Sequence, residues 1–91
     1  PYTDPDEAIA RANALPFAFQ AAVFTQDLDR ALDISNRLDA SAVMINDHTA
    51  IRVDWMPFAG LRQSGLGTGG IPYSFHEMQT TKMTVLRSPA L

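Results

Sequence analysis

Ninety-one residues leave room for at most one small domain, and a composition that is 46% hydrophobic and 19% charged is globular rather than disordered. Ten acidic against seven basic residues leave a net charge of −3, and without a cluster of lysine and arginine this excludes an electrostatic surface for nucleic acid. The absence of cysteine excludes a disulfide framework, a thiolate zinc site and a cysteine nucleophile among these residues.

The hydropathy pattern bears on membranes and location. No uninterrupted apolar run approaches the ~20 residues of a membrane-spanning helix, and no secretory signal opens the sequence. We therefore expect a cytoplasmic protein without a membrane partner. A domain of this size buries only about 60–65% of its unfolded surface, so we expect either an economical fold or further polypeptide to pack against.

The first predicted element is a helix that starts at Pro5. Asp4 is suited to cap it, Pro5 to occupy its first position, and Glu7 lies three residues after the cap. The apolar residues that follow at helical spacing are Ala8, Ile9 and Ala12. Residues 13–16 end the helix.

A strand–helix–strand unit is predicted next, with mostly apolar strands at residues 18–25 and 41–46. Thr25 or Asp27 caps the intervening helix. The residues that recur at helical spacing along this helix, its stripe, are Leu28, Ala31, Leu32, Ser35 and Leu38. The connection is long enough for a right-handed parallel crossover, which gives an α/β fold class. Parallel strands are normally covered on both faces, so we expect strands outside this chain to complete the sheet.

The second half of the chain is less regular. Residues 47–72 contain all five glycines without a sustained period, which is typical of a functional or surface-wrapping segment. The apolar patch of Tyr73, Phe75 and Met78 predicts one or two helical turns. Residues 82–87 alternate like an exposed strand, and near a terminus such strands commonly pair with another chain.

Two patterns suggest ligand sites that their context does not support. Gly65, Gly67 and Gly70 spell G-x-G-x-x-G, but no strand precedes the motif and no acidic residue lies about 20 positions on, so we interpret it as a turn. His48 and His76 are too isolated to form a metal site. We expect neither cofactor-binding residues nor metal ligands in this chain.

One loop carries groups that could bind an anion. His48 and Arg52 place an imidazole and a guanidinium together, and a guanidinium holds carboxylate or phosphate through two parallel hydrogen bonds. The alternative is a surface loop with a weak ion pair between Arg52 and Asp54, which the spacing favours. Trp55 and Phe58 form either a core plug, which composition favours, or the wall of an apolar pocket.

Four segments together resemble the C-terminal part of the aldehyde dehydrogenase superfamily. They are residues 18–25 with 27–31, 42–46, 56–67 and 82–85. The P-F-x-G-x-(K/R)-x-S-G-x-G block at residues 57–67 is the most specific, and the order and spacing match over residues 5–86. Two departures are Ala59, where the family usually has a glycine, and T-G-G at 68–70 in place of R-E-G or R-E-L.

The resemblance implies a parent enzyme that oxidises a small aldehyde to the carboxylic acid with NAD or NADP. In the family a cysteine thiolate attacks the aldehyde, hydride passes to the nicotinamide, and a glutamate-activated water releases the acid. The cysteine, the glutamate and the cofactor-binding domain all lie upstream. The resemblance therefore implies that this chain holds no catalytic residue and no cofactor, is inactive alone, and packs against the remainder of a homo-dimer or homo-tetramer.

The resemblance also divides the chain and assigns roles. Residues 1–81 would be the C-terminal part of the catalytic domain, with the βαβ unit and a glycine-rich substrate-side arm. Residues 82–91 would be an oligomerisation strand and tail. The substrate-binding residues would be Asn46 at the entrance, His48 and Arg52 on the variable loop at 47–56, and Phe58 lining the tunnel.

The string at residues 47–60 is similar to one branch of the family, whose members act on small phosphonate-, phosphate- or hydroxy-substituted aldehydes. Because the resemblance places Arg52 on the loop that faces the substrate, binding of an anionic aldehyde by Arg52 becomes as well supported as the surface ion pair. Two other classes stay open, a non-catalytic binding or assembly module and the product of a truncated gene. The length of the native reading frame distinguishes them. Because the sheet faces would be uncovered, we expect the isolated chain to self-associate.

Overall fold

The computed structural model describes residues 2–90, which form a mixed α/β arrangement of three helices and six short strands. The helices are α1 (Pro5–Asn13), α2 (Leu28–Arg37) and α3 (Ile71–Glu77). The strands are β1 (Phe17–Ala18), β2 (Gln20–Val23), β3 (Ala42–Ile45), β4 (Phe58–Ala59), β5 (Leu61–Arg62) and β6 (Thr68–Gly69). None of the described helices is long or apolar enough to span a membrane.

The two longer helices begin where their capping aspartates predict. Asp4 Oδ1 accepts a hydrogen bond from the backbone N–H of Asp6 at 2.9 Å, and Asp27 Oδ1 accepts one from Arg30 at 3.1 Å. Each bond satisfies a backbone donor that has no partner within the helix. Thr25 has a supporting role, because its Oγ1 accepts from the N–H of Asp27 at 3.1 Å. Asp27, rather than Thr25, is therefore the cap of α2.

An ion-pair cluster joins α1 to α2. Arg37 Nη2 lies 2.6 Å from Asp6 Oδ1, and Arg37 Nη1 lies 3.1 Å from Asp33 Oδ2. The hydrogen bonds that Arg37 donates raise the pKa of its guanidinium, and the bond to Asp6 has the larger effect. Because all three side chains are substantially exposed, the cluster orients the helices more than it stabilises them.

The predicted βαβ unit is confirmed. Strands β2 and β3 pair in parallel with Gln20 opposite Ala42 and Val23 opposite Ile45, and α2 connects them. The first strand differs from the prediction, which ran it unbroken over residues 18–25. The chain instead changes partner at Phe19, because β1 pairs antiparallel with β5 whereas β2 pairs with β3. That β1–β5 contact joins distant parts of the sequence, so no local pattern could reveal it.

The buried core is small for a chain of this length. The buried apolar residues are Ile9, Ala18, Val23, Ala31 and Met44. The radius of gyration is 20.0 Å, compared with about 12 Å for a compact domain of this length. An open apolar groove runs between α1, β2 and α2.

The predicted stripe of α2 is only partly covered. Ala31 is 1% exposed, whereas Leu28 is 68% and Leu32 is 51% exposed. Phe24, directly after β2, is 71% exposed. The βαβ unit thus presents a broad apolar surface to solvent.

The second half of the chain is more ordered than its lack of periodicity predicts. Strand β4 pairs antiparallel with β6, and β5 pairs with β1, so residues 47–72 are partly braced by backbone ladders. The predicted helical turns are confirmed as α3.

The strand predicted at residues 82–87, expected to pair with another chain, stays a prediction. These residues are exposed and belong to no strand of the described part of the chain. An alternating segment becomes a strand only when a neighbouring strand pairs with its backbone N–H and C=O groups, and none of residues 2–90 does so here.

Candidate functional site

Asn46 ties together the carboxyl ends of the two parallel strands. Its φ of 59° lies in the left-handed region, which asparagine adopts more readily than most residues. Its N–H donates to the carbonyl of Val23 at 2.8 Å, and its Oδ1 accepts from the N–H of Thr25 at 2.9 Å. Asn46, the predicted entrance residue, therefore links β2 and β3 at the carboxyl ends of the strands, where α/β folds commonly bind ligands.

His48 follows on the exposed side of this edge. Its Nδ1 accepts a hydrogen bond from the N–H of Ala50 at 3.1 Å, and its own N–H donates to Asp47 Oδ1 at 2.8 Å. Because Nδ1 acts as an acceptor, the neutral ring carries its proton on Nε2. The imidazole side chain is 73% exposed, so this Nε2–H can donate to a ligand arriving from solvent.

Arg52 and Phe58, predicted separately, are in direct contact. The guanidinium carbon Cζ of Arg52 lies 4.5 Å from the centroid of the Phe58 ring, a cation–π arrangement. The weak ion pair that spacing favoured between Arg52 and Asp54 is wrong. Within residues 2–90, no carboxylate lies within 4.0 Å of the Arg52 guanidinium. The charge of Arg52 is thus placed against an aromatic face and is not neutralised.

Phe58 is held from two sides. Its ring packs edge-to-face on Phe19, with centroids 5.1 Å apart and planes at 89°. Its backbone pairs with Gly69 in the β4–β6 ladder. The core-plug interpretation is therefore half right, because Phe58 is half-buried, but it is wrong for Trp55, which is 71% exposed.

The loop that carries Arg52 is docked on the start of α3. The N–H of Ile71 donates to the carbonyl of Asp54 at 2.8 Å. Gly70 has a φ of 109°, and a Cβ there would lie 2.5 Å from the carbonyl oxygen of Met56. Only glycine fits this conformation and this close approach.

This packing gives the G-x-G-x-x-G motif a role within the protein. The side of Gly70 that would carry a Cβ faces the backbone of Met56, so this glycine permits a close approach within the protein itself. The strand before the motif, β5, has two residues and is antiparallel, unlike the parallel strand of a dinucleotide-binding turn. The motif at residues 65–70 therefore does not have the strand context of a dinucleotide-binding turn. Among the described residues, no group of three or more His, Asp or Glu side chains is placed to hold a metal ion.

Arg62 links strand β5 to the C-terminal ends of α1 and α2. The sequence patterns did not identify this role. Arg62 Nη1 donates to the carbonyls of Asn13 and Leu15, each at 2.7 Å, and its Nη2 bonds to Asp39. The side chain of Asn13 extends the junction, because it donates to the carbonyl of Arg37 at 2.7 Å and accepts from the N–H of Asp39 at 2.9 Å. A cation near the final carbonyls of α1 also complements the helix dipole. The available signal was the basic position of the P-F-x-G-x-(K/R) block.

The remaining residues of that block make a tight turn. Ser64 Oγ accepts a hydrogen bond from the N–H of Ala18 at 3.0 Å, which gives Ser64 a structural role. A Cβ at Gly60 would lie 2.5 Å from the carbonyl carbon of Ser64, so glycine is required there. Ala59 lies in β4 without a positive φ, so its methyl group is accepted without backbone strain.

The chain matches known proteins over nearly its whole length. The sequence model of the aldehyde dehydrogenase family matches residues 1–84. A lactaldehyde dehydrogenase from Methanococcus maripaludis is 41% identical over 85 residues, which cover 93% of this chain and 18% of that relative.

Two solved structures share the fold. Aldehyde dehydrogenase 21 from Physcomitrella patens, in complex with the reaction product succinate, superposes with a TM-score of 0.81 at 35% identity, over 94% of this chain and 18% of that one. An NADP-dependent glyceraldehyde-3-phosphate dehydrogenase from Bacillus halodurans, complexed with NADP, superposes at 0.76 with 41% identity, over 80% of this chain and 15% of that one. This chain spans less than a fifth of the length of these relatives, and it belongs to the aldehyde dehydrogenase family.

Proposed function

We propose that this chain is the C-terminal part of the catalytic domain of an NAD(P)-dependent aldehyde dehydrogenase, and that it supplies the side of the site that selects the substrate. Its match to about 18% of a relative's length supports a segment of a larger protein. The broad apolar surface of the βαβ unit supports the same proposal, since further polypeptide would cover it.

We also propose that the substrate is a small aldehyde with an anionic group. The observation that carries this proposal is the exposed, unneutralised guanidinium of Arg52 on the loop after β3. A guanidinium binds carboxylate, phosphate or sulfonate through paired hydrogen bonds. Relatives with succinate as product, or with glyceraldehyde-3-phosphate in their names, are consistent with this substrate class.

The other residues of the site have complementary roles. Phe58 forms an apolar wall beside the anion site, and the Nε2–H of His48 supplies a further donor. Asn46 holds the loop at the sheet edge. In the intact enzyme the oxidised nicotinamide accepts a hydride, and we assign its binding, the nucleophile and the water-activating carboxylate to residues outside this chain.

For residues 82–91 we propose pairing with a strand of a neighbouring subunit in a homo-oligomer. The exposed, alternating segment 82–87 has backbone groups available for such a ladder. Residues 1–81 would then form the catalytic-domain part.

The test of the anionic substrate uses the full-length enzyme with two aldehydes of equal length, succinic semialdehyde and butanal. Arg52→Ala should raise KM for the anionic aldehyde about tenfold or more, because charged hydrogen bonds contribute ~1.5–3 kcal/mol. KM for the neutral aldehyde should change less than about twofold. Steady-state kinetics by nicotinamide absorbance measures both.

The matched control is Arg11→Ala, which removes the same charge from the exposed face of α1. It should leave both KM values unchanged. Equal effects of Arg52→Ala on the two aldehydes would contradict the anion-binding role. An intact enzyme that oxidises neither aldehyde, nor any other small aldehyde, would favour a non-catalytic assembly module.

A further inference from the structure

We propose that Phe58 is a positioning residue for Arg52, so that the stacked pair, rather than Arg52 alone, sets the preference for an anionic aldehyde. The inference rests on the proposed function and goes beyond the role of Phe58 as a tunnel wall. In this role the aromatic face of Phe58 holds the guanidinium of Arg52 in position.

The contact itself has the geometry for this role. Arg52 Cζ lies 4.5 Å from the ring centroid, where the negative face of the ring attracts a cation. A long arginine side chain otherwise loses much conformational freedom when it binds a ligand. A guanidinium already held over a ring loses less of this freedom, and a cation–π contact does not occupy all five of its N–H donors.

The ring is itself fixed, which a positioning role requires. The edge-to-face contact with Phe19, at 5.1 Å and 89°, restricts rotation of the ring. The β4–β6 ladder holds the backbone of Phe58 opposite Gly69. By contrast, Trp55 on the same loop is 71% exposed.

The backbone of Phe58 and the backbone close to Arg52 both contact one short segment, residues 69–71. Gly69 pairs with Phe58, and the N–H of Ile71 donates to the carbonyl of Asp54, two residues after Arg52. Between them, Gly70 lies against the carbonyl of Met56. Since the two segments share this support, backbone contacts hold the chain at Phe58 and the chain near Arg52 close to each other.

The experiment is a double-mutant cycle in the full-length enzyme with succinic semialdehyde and butanal. Phe58→Leu keeps an apolar side chain but removes the aromatic face. It should raise KM for the anionic aldehyde about two- to fivefold relative to the neutral one, a larger change than in kcat. Phe58→Tyr keeps the face and should retain the ratio of the wild type. In an Arg52→Ala background, Phe58→Leu should no longer change that ratio.

The outcomes separate this inference from the proposed function. If Arg52→Ala changes the ratio but Phe58→Leu does not, Phe58 does not position Arg52. If Phe58→Leu shifts both aldehydes equally, in both backgrounds, Phe58 is only a wall of the site. If Arg52→Ala leaves the ratio unchanged, the anion site fails and the inference fails with it.

A second variant guards against misfolding of Phe58→Leu. Phe19→Leu keeps the ring of Phe58 but removes its edge-to-face support. It should move the KM ratio in the same direction by a smaller factor, and this change should also vanish in the Arg52→Ala background. A change that persists without Arg52 would overturn the inference.

Discussion

The βαβ unit and the glycine-rich arm are held together in opposite ways. The βαβ unit, β2–α2–β3, follows a local pattern of caps and apolar periodicity, yet most of its apolar surface is open to solvent. The arm, residues 47–72, has no sustained periodicity, yet single hydrogen bonds connect it to distant parts of the chain. The βαβ unit therefore depends on cover from outside, whereas the arm depends on a few residues within it.

Substitution of Gly70 should destabilise the arm strongly. Gly70→Ala would place a Cβ 2.5 Å from the carbonyl oxygen of Met56, at a φ of 109° that alanine rarely adopts. We expect a loss of roughly 2–4 kcal/mol in the free energy of unfolding from backbone strain and displacement of the loop. Denaturant unfolding of the full-length enzyme measures this loss.

Gly69→Ala is the matched control, because a Cβ there would lie 3.4 Å from the carbonyl oxygen of Phe58, an ordinary contact. It should cost less than about 1 kcal/mol. Equal losses for the two variants would contradict the claim that the close approach of Gly70 to Met56 requires a glycine.

The junction of the arm with the helices should be the next most sensitive point. Arg62→Ala removes hydrogen bonds to Asn13, Leu15 and Asp39, and we expect a loss of about 1–2 kcal/mol, limited by the partial exposure of the side chain. Arg62 has a φ of 54°, so Arg62→Gly removes the same bonds but relieves the backbone. The melting temperature should therefore fall further for Arg62→Ala than for Arg62→Gly, and the reverse order would contradict the assigned strain.

The sequence predicted the parts of the fold that local chemistry determines. Asp4 and Asp27 mark their helices because a capping side chain bonds within its own turn. The β2–α2–β3 unit was predictable because periodicity and connection length together specify a parallel crossover. The segment 82–87 forms no strand within residues 2–90, because alternation specifies a face but not a partner.

The site was only partly predictable, for the same physical reason. Arg52 and Phe58 were each identified by residue type and by family resemblance, but their contact depends on a loop folded over residues 69–71. Arg62 reaches backbone carbonyls 47 and 49 positions away, and no local pattern encodes such a bond. Contacts of this length follow from the completed fold.

The claim that the apolar surface of the βαβ unit needs cover from further polypeptide is tested most directly by sedimentation velocity of the purified chain 1–91. We expect concentration-dependent self-association, because Phe24, Leu28 and Leu32 remain more than half exposed. Leu28→Glu with Leu32→Glu should reduce it. A single monomeric species of the unmodified chain at all concentrations would contradict the account of a segment that needs the rest of its enzyme for cover.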